Sequence, residues 1–483
     1  MINKLQKYID YKAMYDVAVM EPYIISFKKL KEYIGASEDT VLMLEEGIKN
    51  LPINDFNYQG RIITYHNPSQ IEKVGKALFD FLSNDSEWNS LLERIAGYER
   101  ELESVMNIQA TKDILEKAKK ENLYNEIYSK YFDLYLEIIT IYLMTDGRYH
   151  EFSIKELKQH DIDTETINQL TLPDKESSFQ IANTELNKIG KLFRENKPWE
   201  ERFNNFLDKY VWFYLADTHY DFDQVVEDLK GKLSVESDSG KSIDKGSDVA
   251  KSKVTEKDKK VLLRIAELGF QRMELRKYWQ WIDYTIHTLL YNFAKEKDLP
   301  EKTLVFLADK EIRDILSGKN ESFDEISKLA QRRTQLFAAF LNNEEVTIHD
   351  AVVEIEALRK NHVAADVGGL VLKGNISYRE KDQETIVGSA RVITWSQDIM
   401  KELNQIQEGE ILIVTQTKPD FLPFLKKAKA IVADEGGITS HVSIVSRELK
   451  IPAIVGTRTA TDSIKTGDTV QLNMITGEVV VVA

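Results

Sequence analysis

"DEGGITSHVSIVSRELKIPAIVGT", residues 434–457, decides how the C-terminal part of this 483-residue chain is read. Two glycines and a Thr/Ser pair precede a histidine, and an apolar helical pattern follows that runs into a proline-bounded strand. Gly436 and Gly437 permit a tight backbone path or the close approach of a ligand, and Thr439 or Ser440 can cap the helix. Val442, Val445 and Leu449 make its apolar stripe, which leaves His441 in the first turn and off that stripe. The amides and dipole of a helix start favour an anion and disfavour an imidazolium. A neutral imidazole there can attack a phosphoryl group, and the product would sit where negative charge is stabilised. The plainer alternative is a histidine that only hydrogen-bonds its own loop.

Around this stretch the signals are short Val/Ile-rich runs: "SARVIT", "EILIVTQ", "AKAIVAD", "PAIVG", "DTVQLN" and "EVVVV". The segments "DFLPFLKKA" and "SHVSIVSRELK" interrupt them as helices, so strands and helices alternate and an α/β domain of about 110 residues is expected. Glycine usage supports a change of fold, because residues 1–370 hold 14 of the 22 glycines and the last 113 hold the other 8, roughly twice the density.

Upstream the chain reads as helix after helix. In "SQIEKVGKALFDFLSNDSEWNSLLERIAGYERELESVM", Ile71, Val74, Leu78 and Leu82 recur at spacings of three and four, an amphipathic helical pattern. Further helices are expected over "NEIYSKYFDLYLEIITIYLM", "WEERFNNFLDKYVWFYLA" and the long "DKKVLLRIAELGFQRMELRKYWQWIDYTIHTLLYNFAKEK", the last apolar or aromatic on most sides and so buried against several others. Residues 231–260 are rich in Ser, Lys, Asp and Gly and too poor in apolar side chains to offset their ordering entropy, which predicts a mobile loop inside the helical domain. A domain junction is expected where the helix "IHDAVVEIEALRK" ends and Gly368 and Gly369 precede β-rich sequence. The expected fold class is therefore multidomain, α plus α/β: a large, mostly α-helical domain over 1–365 and a β/α domain over 371–483.

Composition narrows the function. A formal charge of −15 and a pI near 5.2 argue against binding nucleic acid through its phosphates, which needs basic patches. The chain has no cysteine, which excludes disulfides, thiolate zinc sites and cysteine nucleophiles and makes the cytoplasm the expected location. The amino terminus lacks an apolar signal region and no 18-residue apolar run occurs, so no membrane association is expected.

"GGITSHVSIVSRELKIPAIVGT" followed by "ATDSIKTGDTVQLNMITGEVVVV" closely resembles the swivelling phosphohistidine domain of phosphoenolpyruvate synthase, pyruvate phosphate dikinase and rifampin phosphotransferase. The resemblance extends over residues 374–483. It implies that His441 is phosphorylated and carries the group between distant sites, with Gly437, Thr439, Ser440 and Arg447 as phosphate-binding candidates. "KGNISYREKDQETIVG" departs from the family's usual Gly-x-Ser-Pro-Gly turn. More weakly, "ELGFQRMELRKYWQWIDYTIHTLLYNFAKEKDLPEKTLVFLADKEIRDILSGK" resembles the segment that precedes the phosphohistidine domain in such proteins, where the drug phosphotransferase binds its acceptor. Arg272, Glu274 and Arg276, with Trp212 in the aromatic run "YVWFYLADTHY", are the substrate-binding candidates this implies. Their bland alternatives are surface salt bridges and an aromatic core.

A complete enzyme of this family also needs an ATP-grasp-like domain or a phosphoenolpyruvate-binding barrel, and neither pattern is present; nor is there a G-x-x-x-x-G-K-[ST] run. The resemblance thus implies a phosphotransferase component whose small-molecule acceptor is held by the helical domain. It would be charged in trans by a separate ATP-grasp-like subunit carrying ATP and Mg²⁺, with no metal held by this chain. The alternatives are a non-catalytic member that binds a ligand or partner and regulates it, and a carrier that activates a carboxylate for ligation.

Overall fold

The structure, a computed structural model, describes residues 6–10, 29–30, 41–46, 61–66, 68–145, 147–160, 162–171, 173, 175–215, 222–234, 254–301, 303–319, 322–333, 336–342, 345–349, 371–380, 383–393, 399–417, 421–434, 440–457 and 460–482. Twelve helices among these build the larger part: α1 (Pro68–Ser83), α2 (Asp85–Glu103), α3 (Ile108–Lys120), α4 (Tyr124–Met144), α5 (Gly147–Gln159), α6 (Thr164–Leu170), α7 (Ser178–Arg194), α8 (Glu200–Tyr210), α9 (Phe222–Lys232), α10 (Glu256–Glu296), α11 (Asp309–Leu316) and α12 (Phe323–Arg333).

Local chemistry starts and stops these helices. Asn84 breaks the amphipathic run between α1 and α2 by accepting from the amides of Ser86 and Glu87, and Ser177 and Gln180 form a capping box on α7. Thr255 caps α10, whose 41 residues make it about 60 Å long. Its middle is wrapped by aromatic side chains. Trp281 packs edge-on against Tyr131 at 5.3 Å and Trp212 at 6.5 Å, and its indole N–H donates to Thr111 Oγ1 at 2.9 Å. That satisfied, fully buried pair of indoles explains why the sequence around α10 is apolar on most sides.

Among the described residues the part up to 365 is mostly helical, as expected, and it also contains strands: β1 (Gln6–Asp10), β2 (Val41–Glu46), β3 (Arg61–His66), β4 (Leu336–Asn342) and β5 (Glu345–His349) form an antiparallel sheet in the order β1-β3-β2-β4-β5. The pairing of β2 with β4, with Leu44 opposite Ala338, joins segments almost three hundred residues apart, and no local periodicity announces such a partner. Ile348 and His349, read as the start of a helix, belong to β5, while residues 350–370 and with them the expected junction lie outside the described residues. The predicted 231–260 loop is also shorter than expected, since α9 runs to Lys232 and Thr255 already caps α10; 235–253 lie outside the described residues.

The C-terminal part contains β6 (Val371–Lys373), β7 (Asn375–Tyr378), β8 (Thr385–Ile393), α13 (Ile399–Asn404), β9 (Ile411–Val414), α14 (Leu422–Leu425), β10 (Ala430–Ala433), α15 (His441–Leu449), β11 (Ala453–Val455), α16 (Ala460–Ser463), β12 (Thr469–Asn473) and β13 (Glu478–Val482). All six strands and both helices expected here are present. The eight strands order as β6-β13-β12-β8-β9-β10-β11-β7, with β8 to β11 parallel and antiparallel partners at both flanks. Strands β9 and β10 are buried at every position, as a parallel strand covered on both faces must be. Alternation divides them between two cores: Leu412, Val414, Ile431 and Ala433 face α15 through Val442 and Val445, whereas Ile411, Ile413, Ala430 and Val432 face Val470 and Leu472.

The turn into β13 depends on Gly477. Its φ is +75°, and a Cβ there would lie 2.1 Å from the carbonyl oxygen of Gly374, whose own amide donates to Gly477 O at 2.9 Å. Only glycine serves both demands.

Candidate functional site

In an open parallel sheet the connections leaving the carboxyl ends of the strands converge on one edge, where ligands are usually bound. The connection from β10 to α15 leaves that edge at Asp434 and delivers His441 as the first residue of α15. Ser440 is the N-cap, in extended conformation, and its Oγ accepts from the Ser443 amide at 3.2 Å and donates to Ser443 Oγ at 3.1 Å. The intervening residues 435–439, including Gly437 and Thr439, lie outside the described residues.

Asp434, the first residue of the quoted stretch, carries no motif signal of its own, yet it is the hydrogen-bonding centre at the end of β10. Its carboxylate is 3% exposed. It accepts from the Thr461 amide at 3.1 Å, from Thr457 Oγ1 at 3.1 Å, and from the Ala460 amide and Thr461 Oγ1. Burial pushes its carboxyl above the usual carboxylate range, while the hydrogen bonds from Thr461, Ala460 and Thr457 pull the other way. Asp434, at the end of β10, and Ser440, at the start of α15, are thus each held by hydrogen bonds.

The far side of α15 is braced by β7. Ser377 Oγ lies 3.1 Å from Ser446 Oγ and donates to the Ser443 carbonyl at 3.3 Å. This strand lies in the segment "KGNISYREKDQETIVG", and its Ser377 ties that segment to α15.

Arg447 sits six residues beyond His441, about 9 Å along the helix axis. Its Nε donates to the Ser443 carbonyl at 2.8 Å, and its Nη1 reaches Thr171 Oγ1 at 3.4 Å, at the end of α6. The structure thus turns Arg447 toward the helical part of the chain.

The candidates on α10 do not converge. Arg272 lies over the Tyr142 ring, 4.4 Å from its centroid, and donates to Thr145 Oγ1 at 3.1 Å. Arg276, one turn on, is half-buried on the same side. Glu274 points elsewhere, as a residue two positions from each must; it is buried and accepts from the Ser178 amide and Oγ, both at 2.6 Å. Trp212 is 1% exposed, its indole N–H donating to the Met106 carbonyl at 3.2 Å. Its place is the aromatic core, which corrects the expectation that it faces a ligand. Among the described residues no cluster of three His, Asp or Glu could hold a metal ion, and no helix is long and apolar enough to cross a membrane.

Residues 406–477 match the mobile domain of PEP-utilising enzymes. The same part of the chain is similar to phosphoenolpyruvate synthase of Aquifex aeolicus, 52% identical over 91 residues that make up 19% of this chain and 10% of that protein. It is 48% identical over 87 residues to a probable phosphoenolpyruvate synthase of Pyrococcus horikoshii, 18% of this chain and 10% of that one. With phosphoenolpyruvate synthase of Synechocystis it shares 49% identity over 73 residues, 15% of this chain and 9% of that protein. The matched stretch thus spans about a tenth of the length of these relatives.

Proposed function

With residues 406–477 belonging to the mobile-domain family of PEP-utilising enzymes, we propose that this chain is a phosphotransferase component that carries a phosphoryl group on His441 to a small-molecule acceptor. The observation that carries the reading is the position of His441 as the first residue of α15, directly after the Ser440 cap, on the helix that follows β10 at the carboxyl edge of the parallel sheet. A ring nitrogen of neutral His441 attacks the terminal phosphorus of the donor; the P–N bond forms as the P–O bond to the leaving group breaks. In the second transfer an acceptor oxygen attacks the same phosphorus, the P–N bond breaks, the acceptor proton is lost to a base, and the imidazole is returned. The amide end of α15 favours the phosphorylated, negatively charged form.

The donor is a separate ATP-binding subunit of the ATP-grasp type, holding ATP and Mg²⁺, that charges His441 in trans. The helical part of this chain holds the acceptor, and the β/α part swivels between the two. The support for this division is the sequence, in which the carrier motif "GGITSH" is whole and no G-x-x-x-x-G-K-[ST] run occurs.

The test is labelling of the full chain with γ- and β-labelled ATP, with phosphoenolpyruvate, and with ATP plus cell lysate, scoring acid-labile phosphate. The expected result is label only with lysate, absent from His441→Ala. Label with ATP or phosphoenolpyruvate alone overturns charging in trans, and label persisting in His441→Ala overturns the site.

A further inference from the structure

A cleft of about 810 Å³ opens beside the first turns of α10, a size suited to a small organic molecule. Glu256, Lys260, Leu263 and Glu267 recur along one face of the helix and line it, with Lys257, Lys259 and Arg264 at the margins. Opposite them stand Trp88 and Leu92 of α2. The floor is apolar: Trp88 is a core side chain, and Leu263 is 50% exposed toward the cleft.

The walls are cationic. Lys175, Lys257, Lys259, Lys260 and Arg264 stand against two carboxylates, in a chain whose formal charge is −15. Some of this charge is structural. Arg264 is buried over the Trp88 ring, 5.3 Å from its centroid, and donates to the Leu82 carbonyl at 2.8 Å and to Asp85. Lys260 bridges Asp85 at 3.0 Å, and Lys175 reaches Glu267 at 3.2 Å. Among the described residues, however, no carboxylate pairs with Lys257 or Lys259, and both are exposed. Lys257 Nζ lies 5.9 Å from the centroid of the Phe79 ring, a contact that leaves its charge unneutralised, and two ammonium groups without a carboxylate partner at the margins of an apolar floor, on an otherwise acidic molecule, create a local attraction for an anion.

We propose that this cleft binds a small organic anion with an aromatic or aliphatic body, drawn in by the positive field of Lys257 and Lys259, which flank the lined face of α10 from its two margins, with its body laid on Trp88, Leu92 and Leu263. Lysine supplies point charges rather than a planar fork, so a carboxylate, sulfonate or phosphate meets the same chemistry. That this ligand is the phosphoryl acceptor rests on the reading above; the binding site itself does not.

The experiment compares two fluorescent probes on the full chain carrying His441→Ala: anilinonaphthalene sulfonate, and phenylnaphthylamine, which has the same aromatic body without the anion. The sulfonate should bind with a single-site isotherm, and Lys257→Glu/Lys259→Glu should weaken it about tenfold or more while leaving the neutral probe unchanged. Leu263→Asp should weaken both. A charge-matched control on α3, Lys112→Glu/Lys117→Glu, should change neither. Sulfonate affinity that survives Lys257→Glu/Lys259→Glu, or falls equally in the control, overturns the proposal. Acid-labile labelling of Lys257→Glu/Lys259→Glu, with His441 intact, keeps the two readings apart: label retained while the probe test fails sinks only the cleft, and label never seen while the probe test succeeds sinks only the carrier.

Discussion

Arg447 Nη1 lies 3.4 Å from Thr171 Oγ1, so the last turn of the helix that begins with His441 touches the end of α6. Thr171 is itself buried and tied to the Ile167 carbonyl at 2.8 Å, which makes it a rigid partner. The contact is a long, polar one between two separately cored parts of the chain, the kind that can be made and broken at little cost.

The absence of native cysteine makes this contact directly measurable. With spin labels on Glu176→Cys and Lys450→Cys, both exposed, the unphosphorylated chain should show one narrow distance population. Arg447→Ala should broaden it. An unchanged distribution in that variant would mean that Arg447 does not hold the two parts together.

Replacing Ser440 by Ala removes the side-chain acceptor for the Ser443 amide and should cost about 1 kcal/mol of stability, with Asn or Asp at 440 restoring most of it. The two replacements should part in labelling. Asp places a second negative charge beside the phosphoryl group and should slow phosphorylation of His441, whereas Asn should not; thermal melts and labelling rates on the same preparations decide.

Asp434→Ala leaves the amides of Ala460 and Thr461 without their buried acceptor, a loss on the order of 3 kcal/mol. Hydrogen exchange should show protection lost at the Ala460 and Thr461 amides, which this carboxylate accepts from directly. Protection kept at both amides would show that another group takes over their bonding.

Arg391 and Glu410 give the β/α part an acid-sensitive brace. The guanidinium meets the carboxylate in two places, Nε to Oε2 at 3.0 Å and Nη2 to Oε1 at 2.8 Å. Burial draws the Glu410 carboxyl upward, but Arg391 and the Gln407 amide outweigh it and hold the carboxyl below its ordinary 4.5. The unfolded chain therefore takes up the proton first on acidification. The stabilisation is complete above about pH 4.5 and fades as pH falls through the depressed folded value. Glu410→Gln should cost about 1–3 kcal/mol at neutral pH, and its deficit against the parent chain should shrink in denaturant melts below pH 4.5.

Gly477→Ala combines a φ of +75° with a Cβ 2.1 Å from a backbone oxygen. Part of the β6–β13 pairing must open to admit it, so a loss of at least about 2 kcal/mol is expected in chemical denaturation, with the melting of α1–α12 unchanged. An unchanged melt of the β/α part would show that the turn relaxes freely.

Much of this molecule was legible in the order of its residues, because the signals were local. The Val/Ile runs of β8 to β13, the cap-like Thr/Ser pair before His441, and the three-and-four spacing of Ile71, Val74, Leu78 and Leu82 each specify their element from within a few residues. What only the tertiary structure decided depends on partners far away in the chain. The β2–β4 pairing unites residues 41–46 with 336–342, Trp212 is claimed by the core through Met106, and Arg447 is turned toward Thr171. The cleft beside α10 belongs with these, since its cations come from α10 and Lys175 while its aromatic wall comes from α2. Spacing along a chain encodes which face a residue occupies; which other face it meets is set by how the whole chain packs.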